Sequence, residues 1–567
     1  MMKRWEIRVP DPSSREALAG ALHLHPVTAQ LLLNRGVKTP AEGRAFLSHD
    51  LSACLDPFAL KDMEKAVFRL KMALLAKEKI LVWGDYDVDG VTSTALLVRS
   101  LRELGFNVMH HIPNRLTDGY GLNKEFLTHA KKRGVHVIIS VDTGIAGHEA
   151  VAHLGELGMD IILTDHHQPK EELPKAYAII NPFQKGCRYP FRFLSGVGLS
   201  YKLACALAKS LSPGREKEIE SHLDLVAVGT LADVVPMIGE NRTLVYHGLR
   251  KLEKREKPGF RVLLSMGRVR QQHLSPRDVA FVVGPRINAS GRLGSAETAL
   301  NLLLTDHPAE AIELARRLET GNTERRRIEK VMLKEALMKV EKEINFKHER
   351  VIVLQDEKWH PGVVGIIASR ILNRFYRPTI IIAVSGGMGR GSGRSIQGFS
   401  LPVALDQCRE YLAEFGGHPM ACGLTLREEH IQLFRESINR IAEKSLELED
   451  LIPTLPVDME LPLSALTVPL LDELEQLEPF GTGNSEPLFL SKRVLFRKES
   501  QGDGKMHMTV REEGKETGSS YEVVIASELA REMAPFCDKP VDLVYHPAPQ
   551  RGEGTKIFLH VKDFSPS

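Results

Sequence analysis

The six cysteines of this 567-residue chain (Cys54, Cys187, Cys205, Cys408, Cys422, Cys537) are scattered, with no C-x-x-C pair and no zinc-ligand spacing. That excludes a disulfide framework and the common structural zinc modules, and leaves reduced structural thiols as the expectation. No apolar run approaches the ~18 residues that a membrane span needs. Met1 to Pro10 mixes Lys3, Arg4, Glu6 and Arg8 where a signal peptide has its apolar core, so a cytoplasmic location without membrane contact is expected. An excess of charge of either sign is also missing: 75 Lys+Arg stand against 73 Asp+Glu, a formal net charge of +2. Any nucleic-acid surface must therefore be a local concentration of charge. With 43% hydrophobic and 26% charged residues, 45 Gly and 31 Pro, the composition is that of ordinary globular protein. At roughly 150 residues per domain, the length implies about three or four domains.

From about Lys79 to Val235, strand, loop and helix alternate, which argues for a parallel sheet with helices on its faces. Ile80 to Trp83 is a short apolar run followed by an acidic turn. Thr92 or Ser93 can then cap a helix whose leucines at 97, 101 and 104 recur at helical spacing before Gly105 ends it. Val108 to Pro113, Val135 to Val141, Met159 to Thr164 and Ala178 to Ile180 are further buried-strand candidates. Thr305 to Ile344 reads as two helical stretches interrupted by Gly321-Asn322, the second able to join two domains rigidly. Val351 to Leu354, a helix from about Val363 to Phe375, and Thr379 to Val384 make a second α/β unit ending near Glu447. After Pro453 and Pro456 come short alternating segments: Val494 to Phe496, Met506 to Val510, Tyr521 to Ile525, Val541 to Tyr545 and Ile557 to Val561. They argue for an all-β module of small-barrel type.

Four places in the first α/β unit, each expected at a strand end, carry metal-ligating side chains. They are Asp85, Asp87 and Asp89 in GDYDVDG (84 to 90), Asp142 in SVDTGI (140 to 145), Asp165-His166-His167, and Asp233 in GTLADVVP (229 to 236). In open α/β sheets ligands bind beyond the carboxyl ends of the strands, so residues distant in sequence converge there. Asp87 and Asp89, two apart in an extended turn, can point the same way, and Gly90 lets the backbone turn tightly into the helix. Carboxylate oxygens suit hard divalent cations, and imidazole shifts the preference toward Mn²⁺, Fe, Co or Zn. Asp87, Asp89, Asp142 and Asp233 supply −4, which two divalent cations would balance. Such a pair, about 3.5–4 Å apart, activates water and neutralises a phosphoryl transition state, so phosphoester hydrolysis is the natural use.

Other readings of the acidic turn account for less. An EF-hand loop would need Glu where Leu96 stands, and a strand precedes this loop. The nucleophile turn of haloacid-dehalogenase-type phosphatases, with Asp87 phosphorylated and Asp89 as acid/base, leaves Asp165-His166-His167 unexplained. Asp142 or Asp233 taken singly would be an ordinary cap or turn residue. Basic clusters at Lys131 to Arg133, Arg250 to Lys257, Arg325 to Arg327, and Lys492, Arg493, Arg497 and Lys498 read as solvated faces unless several share one side. The glycines at 389, 391 and 393 let backbone N–H groups approach an anion, without the Gly-Lys-Ser/Thr of a P-loop.

In order and kind, these motifs resemble the DHH phosphoesterase superfamily, and within it the bacterial single-strand-specific exonucleases. The signature is Asp165-His166-His167. The finer likeness lies in GDYDVDG, SVDTGI, GTLADVVP and GPRINASGRLG (284 to 294), then in WHPGVVGIIASR (359 to 370), RGSGRS (390 to 395), GGHPMACG (416 to 423) and PFGTGNSEP (479 to 487). The resemblance implies an α/β parallel-sheet DHH domain (51–304) after an N-terminal segment (1–50). Connecting helices (305–345), a second α/β DHH-associated domain (346–450) and a C-terminal all-β OB-fold (451–567) would follow. It implies two Mn²⁺ or Mg²⁺ ions, Asp87 and Asp142 toward one, and Asp89, Asp142, His166 and Asp233 toward the other, with Asp142 as the bridge. Superfamily pyrophosphatases have a histidine upstream of the paired aspartates, where this chain has Trp83 and Asp85, so Asp85 is either a ligand or a group that orients one. His167, Asp165 and Arg286 would act in catalysis, and Arg115, Tyr120, Arg292, Ser392, Arg394 and His418 would hold phosphate or DNA.

The implied activity is 5′-to-3′ hydrolysis of single-stranded DNA to mononucleotides, in recombination and repair. A helicase and a single-strand-binding protein are the implied partners of a cytoplasmic monomer. A superfamily enzyme for dinucleotides would share the metal site but lack the β module, and a non-catalytic scaffold would have lost ligands that are all present here.

Overall fold

The computed structural model describes residues 3–115, 121–269, 273–502, 505–514, 520–550 and 556–567. The chain begins with strand β1 (Arg4–Ile7) and three short helices, Pro12–Leu22, Pro26–Asn34 and Pro40–Leu47, each with proline in its first turn after a capping Asp11, His25 or Thr39. The first large sheet follows: β2 (Lys79–Trp83), β3 (Asn107–His111), β4 (Val135–Val141), β5 (Asp160–Thr164) and β6 (Ala178–Ile180), all parallel, in the order β3-β2-β4-β5-β6. Apolar side chains cover both faces, so the strands read as near-continuous hydrophobic runs. The order reverses between β2 and β4. At such a switch point the connections leave in opposite directions and open a crevice beyond the carboxyl ends of the strands. The register places Trp83 beside Ser140 and Val141 beside Thr164, which brings the loops carrying Asp85, Asp142 and Asp165 side by side.

Two local expectations are corrected here. The helix after β2 spans Val88–Glu103 and is capped by Asp87, whose carboxylate accepts from the Gly90 N–H, and not by Thr92 or Ser93. Thr92 Oγ1 is used inside the helix, on the Val88 carbonyl. The helix thus starts within the acidic motif, because Asp87 can satisfy its free donors earlier. Asp233 is not at a strand end: it is the C-cap of the buried helix Leu223–Ala232. That ten-residue run is apolar on every side, a pattern in which helix and buried strand look alike.

Helix Pro308–Glu343 runs for 36 residues without a break, about 54 Å at 1.5 Å per residue. Ala311, Ala315 and Leu318 pack into the first domain, and Met332, Ala336 and Val340 against the second. The expected interruption at Gly321-Asn322 is absent. One glycine costs about 1 kcal/mol in a helix, too little to break one packed at both ends, and Asn322 is fully buried with its Oδ1 accepting from Arg325. The second domain is a mixed sheet, β10-β11-β9-β8-β7, from β7 (Ile352–Asp356), β8 (Thr379–Ser385), β9 (Met388–Arg394), β10 (Leu412–His418) and β11 (Ala421–Arg427), with only β7 and β8 parallel.

Strand β12 (Thr454–Val457) pairs with β1, and β13 (Met459–Glu460) leads into β14 (Phe489–Gly502), β15 (Lys505–Glu512), β16 (Tyr521–Val524), β17 (Val541–Gln550) and β18 (Lys556–Pro566). Strand β14 pairs with both β15 and β17, and β16 pairs with β18. Strands β14 to β18 therefore close on themselves as the expected small barrel, with β13 added alongside β14. Leu31 and Leu32 of the N-terminal helices share its core with Phe489, Phe496, Leu543 and Tyr545, so the two ends of the chain form one body. Among the described residues no helix is long and apolar enough to cross a membrane.

Replacing Gly321 by Ala is expected to raise stability by about 0.5–1 kcal/mol, because nothing lies within 4 Å of the added methyl group. Calorimetry reads the sign; a loss of stability would mean that the connecting helix needs glycine there.

Candidate metal centre

Beyond β2, β4 and β5 the acidic and histidine side chains converge. His166 Nε2 lies 3.1 Å from Asp142 Oδ1, 3.5 Å from Asp233 Oδ2 and 3.9 Å from Asp89 Oδ2. Ligand atoms fall within 4.8 Å of one another in three overlapping groups: Asp85, Asp87 and Asp142; Asp89, His166 and Asp233; and Asp142, His166 and His167. Asp87 and Asp89 fall in different groups, although both charges act on Asp142 and Asp233. The helix starting between them turns them into different groups, with Asp142 in between. Gly90 serves close approach: a Cβ there would sit 2.5 Å from the Asp85 carbonyl oxygen.

The backbone holds these charges in place. Asp142 has φ +60°, a left-handed conformation costly for most residues. Its side chain rests against Gly196, where a Cβ would come within 2.7 Å of it. Both oxygens of Asp89 are held by N–H groups at the start of helix Gly196–Leu211, Gly196 donating at 2.7 Å and Val197 at 2.8 Å, where a helix favours an anion. Asp165 takes the Ile145 N–H at 2.9 Å on one oxygen and, on the other, His167 Nδ1 at 2.7 Å and the His167 N–H at 3.1 Å. Asp165 thus orients the loop and fixes His167, whose Nε2 is left for the cavity.

Burial, then the charges of neighbouring carboxylates, push Asp85, Asp142 and Asp233 well above the usual range, and Asp89 up to about 7. Burial and the adjacent His167 pull His166 down to about 4, so it is neutral and its lone pair is available. Burial opposes the charged form of His167 too, but the hydrogen bond and charge of Asp165 outweigh it and raise His167 to about 9. Asp142 Oδ1 and His166 Nε2 are buried without a hydrogen bond. Orphaned acceptors among crowded carboxylates fit divalent cations, which would satisfy both.

Three family models match in chain order: the DHH family N-terminal domain over residues 79–230, the DHHA1 domain over 348–444 and the RecJ OB domain over 457–563. The single-stranded-DNA-specific exonuclease RecJ of Escherichia coli is 37% identical over 505 residues, covering 86% of this chain and 87% of that protein. The chain belongs to the RecJ family. The Bacillus subtilis RecJ is 40% identical over 518 residues, a match spanning 90% of this chain and 65% of the relative. The crystal structure of Thermus thermophilus RecJ with Mn²⁺ superposes with a TM-score of 0.84 at 30% identity, over all of this chain and 80% of that one.

As a RecJ-family centre, the site opens into a cavity of about 950 Å³ between the two α/β domains, lined by Asp85, Asp87, Asp165 and His167 from the first and by His418 from the second. The His418 and His167 rings lie 5.9 Å apart. Arg115 and Arg292 line the same cavity, and Arg115, Ser392 and Arg394 line the groove next to it. Arg394 donates to Ser392 Oγ at 3.0 Å, and Arg292 to the Gly362 carbonyl at 3.3 Å. Burial, then Arg115, Arg325 and Arg394, lower Arg292 to about 10. Among the described residues no carboxylate pairs with Arg115, Arg292 or Arg394, so they are placed to take an anion.

Arg286 is not in this group. It is buried, and donates to Glu319 Oε2 at 2.5 Å and to the Val282 carbonyl at 2.7 Å, tying its helix to the connecting helix. Two residues on, the helix has turned, and Asn288 lines the cavity instead; its i, i+4 relation to Arg292 was the available signal. Tyr120 lies outside the described residues. The basic clusters are largely neutralised: Arg250 pairs with Glu253, Arg325 with Glu329, Arg327 with Glu324, Lys492 with Glu460, Arg493 with Glu513 and Arg497 with Asp538.

Two consequences for the metal-free protein follow. Raised carboxylate values mean that the folded state holds protons the unfolded state has released, so stability falls as pH rises from about 4 to about 7. Relieving the crowding with Asp142→Asn, a residue that tolerates positive φ, is expected to raise metal-free stability by about 1–2 kcal/mol. Urea unfolding in EDTA at pH 5 and pH 8 tests both; a variant less stable than wild type at pH 8 would contradict the electrostatic account.

Proposed function

We propose that this chain hydrolyses single-stranded DNA from its 5′ end to mononucleotides, as a metal-dependent exonuclease of DNA recombination and repair. The observation that carries the reading is Asp142, whose orphaned Oδ1 is buried among ligand groups that also include Asp85, Asp87 and His167, three residues that line a cavity shared with Arg115 and Arg292. In support, the E. coli and B. subtilis relatives are named single-stranded-DNA-specific exonucleases, and the Thermus RecJ was crystallised with Mn²⁺.

In this reading Asp85, Asp87 and Asp142 would hold one cation, and Asp89, Asp142, His166 and Asp233 the other. Bound Mn²⁺ or Mg²⁺ lowers the pKa of water and stabilises the charge of an in-line phosphoryl transition state. His167, oriented by Asp165, presents Nε2 to the scissile phosphate. Arg115, Arg292 and Arg394, with Ser392 and His418, grip phosphates across the cleft, bidentate arginines fixing the end of the strand. Arg286 contributes by holding its helix to the connecting helix. The barrel offers a groove for the rest of the strand. The cleft is complete within one chain, which supports a monomer. Action in the cytoplasm, on strands supplied by a helicase and a single-strand-binding protein, completes the reading.

With Mn²⁺, a 5′-labelled single strand is expected to release labelled mononucleotide from the first turnovers, and a 3′-labelled strand only shortened oligomers. Asp142→Ala should lower the rate by about a hundredfold or more. Release of 3′ label first, or full activity in that variant, would overturn the reading.

A further inference from the structure

Residues 276 to 293 are helical without interruption, through an α-turn Pro276–Asp278, a π-helical segment Val279–Val283 and helix Gly284–Leu293. Such π-segments are rare and cluster at functional sites. The inner side is packed: Val279, Val283 and Ile287 are fully buried, and a Cβ at Gly284 would lie 3.9 Å from that of Ala232, next to Asp233. Arg277, Phe281, Pro285, Asn288 and Arg292, spaced by four, four, three and four, are all accessible and share the other side.

That row has two functional ends. Asn288 and Arg292 line the catalytic cavity. Arg277, about 22 Å away along the axis, is close enough to the barrel for its charge to act on Glu486 and His560. Between them Phe281 is 66% exposed, with the Arg277 guanidinium 5.8 Å from its ring centroid. A single exposed phenylalanine is ordinary; one braced by arginine, midway between a barrel and a metal centre, is not explained by packing.

Resting on the exonuclease reading, we propose that Phe281 is a stacking platform for a base of the uncleaved strand between the barrel and the metal centre, with Arg277 bracing the ring. Stacking on an aromatic face tolerates any sequence. In a duplex both faces of each base are already covered by its neighbours, so the platform also favours single strands over paired ones. Phe281 lies seven residues from Asn288, about 10 Å, or about three stacked nucleotide steps. The base engaged is therefore about the third to fifth from the cut end.

The test combines kinetics with a spectroscopic probe. Phe281→Ala is expected to raise KM for a 20-nucleotide strand by roughly 5- to 50-fold, and much less for a dinucleotide, which ends before the platform. Phe281→Trp should retain wild-type KM, whereas Phe281→Leu, which keeps the apolar bulk, should behave like the alanine variant. In EDTA, 2-aminopurine at the third to fifth nucleotide should be quenched by wild type and not by Phe281→Ala, a signal independent of hydrolysis. Wild-type KM in the alanine variant, full function in the leucine variant, or quenching that survives loss of the ring would each overturn the proposal.

Discussion

Mutual repulsion among buried carboxylates is the constraint on which this structure turns. Asp85, Asp89 and Asp142 are almost wholly buried, Asp85 and Asp142 in one group with Asp87 and Asp89 in a second with Asp233 and His166, ligand atoms within each group lying within 4.8 Å. Left to relax, such charges would separate or take up protons. They cannot separate, because each is fixed from behind: Asp89 by two helix N–H groups, Asp142 by a left-handed backbone seated on Gly196, and Asp87 as the cap of its own helix. The domain keeps a destabilising arrangement that divalent cations would relieve, a common way for function to draw on stability.

The rest of the molecule complements that negative centre. The switch point between β2 and β4 opens the crevice, and the second domain closes over it with His418 and a strand edge rich in glycine. Arg115, Arg292 and Arg394 bring positive charge to the same cleft, without carboxylate partners among the described residues, as a polyanion needs. The unbroken connecting helix and the Arg286–Glu319 pair set the spacing between the domains. The N-terminal helices share the barrel core, and Arg242 of the first α/β domain donates to the Phe46, Gln476 and Glu478 carbonyls, which ties that body to the first domain.

Much of this was legible in the residues. Parallel strands declare themselves as apolar runs ending in acidic loops, and the buried runs at 135 to 141 and 178 to 180 match β4 and β6. What could not be read depends on direction rather than on residue type. Leu223–Ala232 carries no apolar period, so the residues alone do not tell whether Asp233 ends a strand or a helix. That the helix starts at Asp87, and so sets Asp87 and Asp89 in different ligand groups, depends on which of several capping side chains wins. Arg286 and Asn288 lie in one motif, and only the turn of the helix decides which reaches the cavity. The pairing of the first strand with β12 joins residues some 450 apart, for which no local pattern exists.

In the proposed site Asp142 would be shared by two cations. Anomalous scattering from a crystal of the intact chain soaked in Mn²⁺ tests it most directly. Two peaks about 3.5–4 Å apart, each within coordination distance of an Asp142 oxygen, are predicted; one peak, or two of which only one touches Asp142, would contradict it.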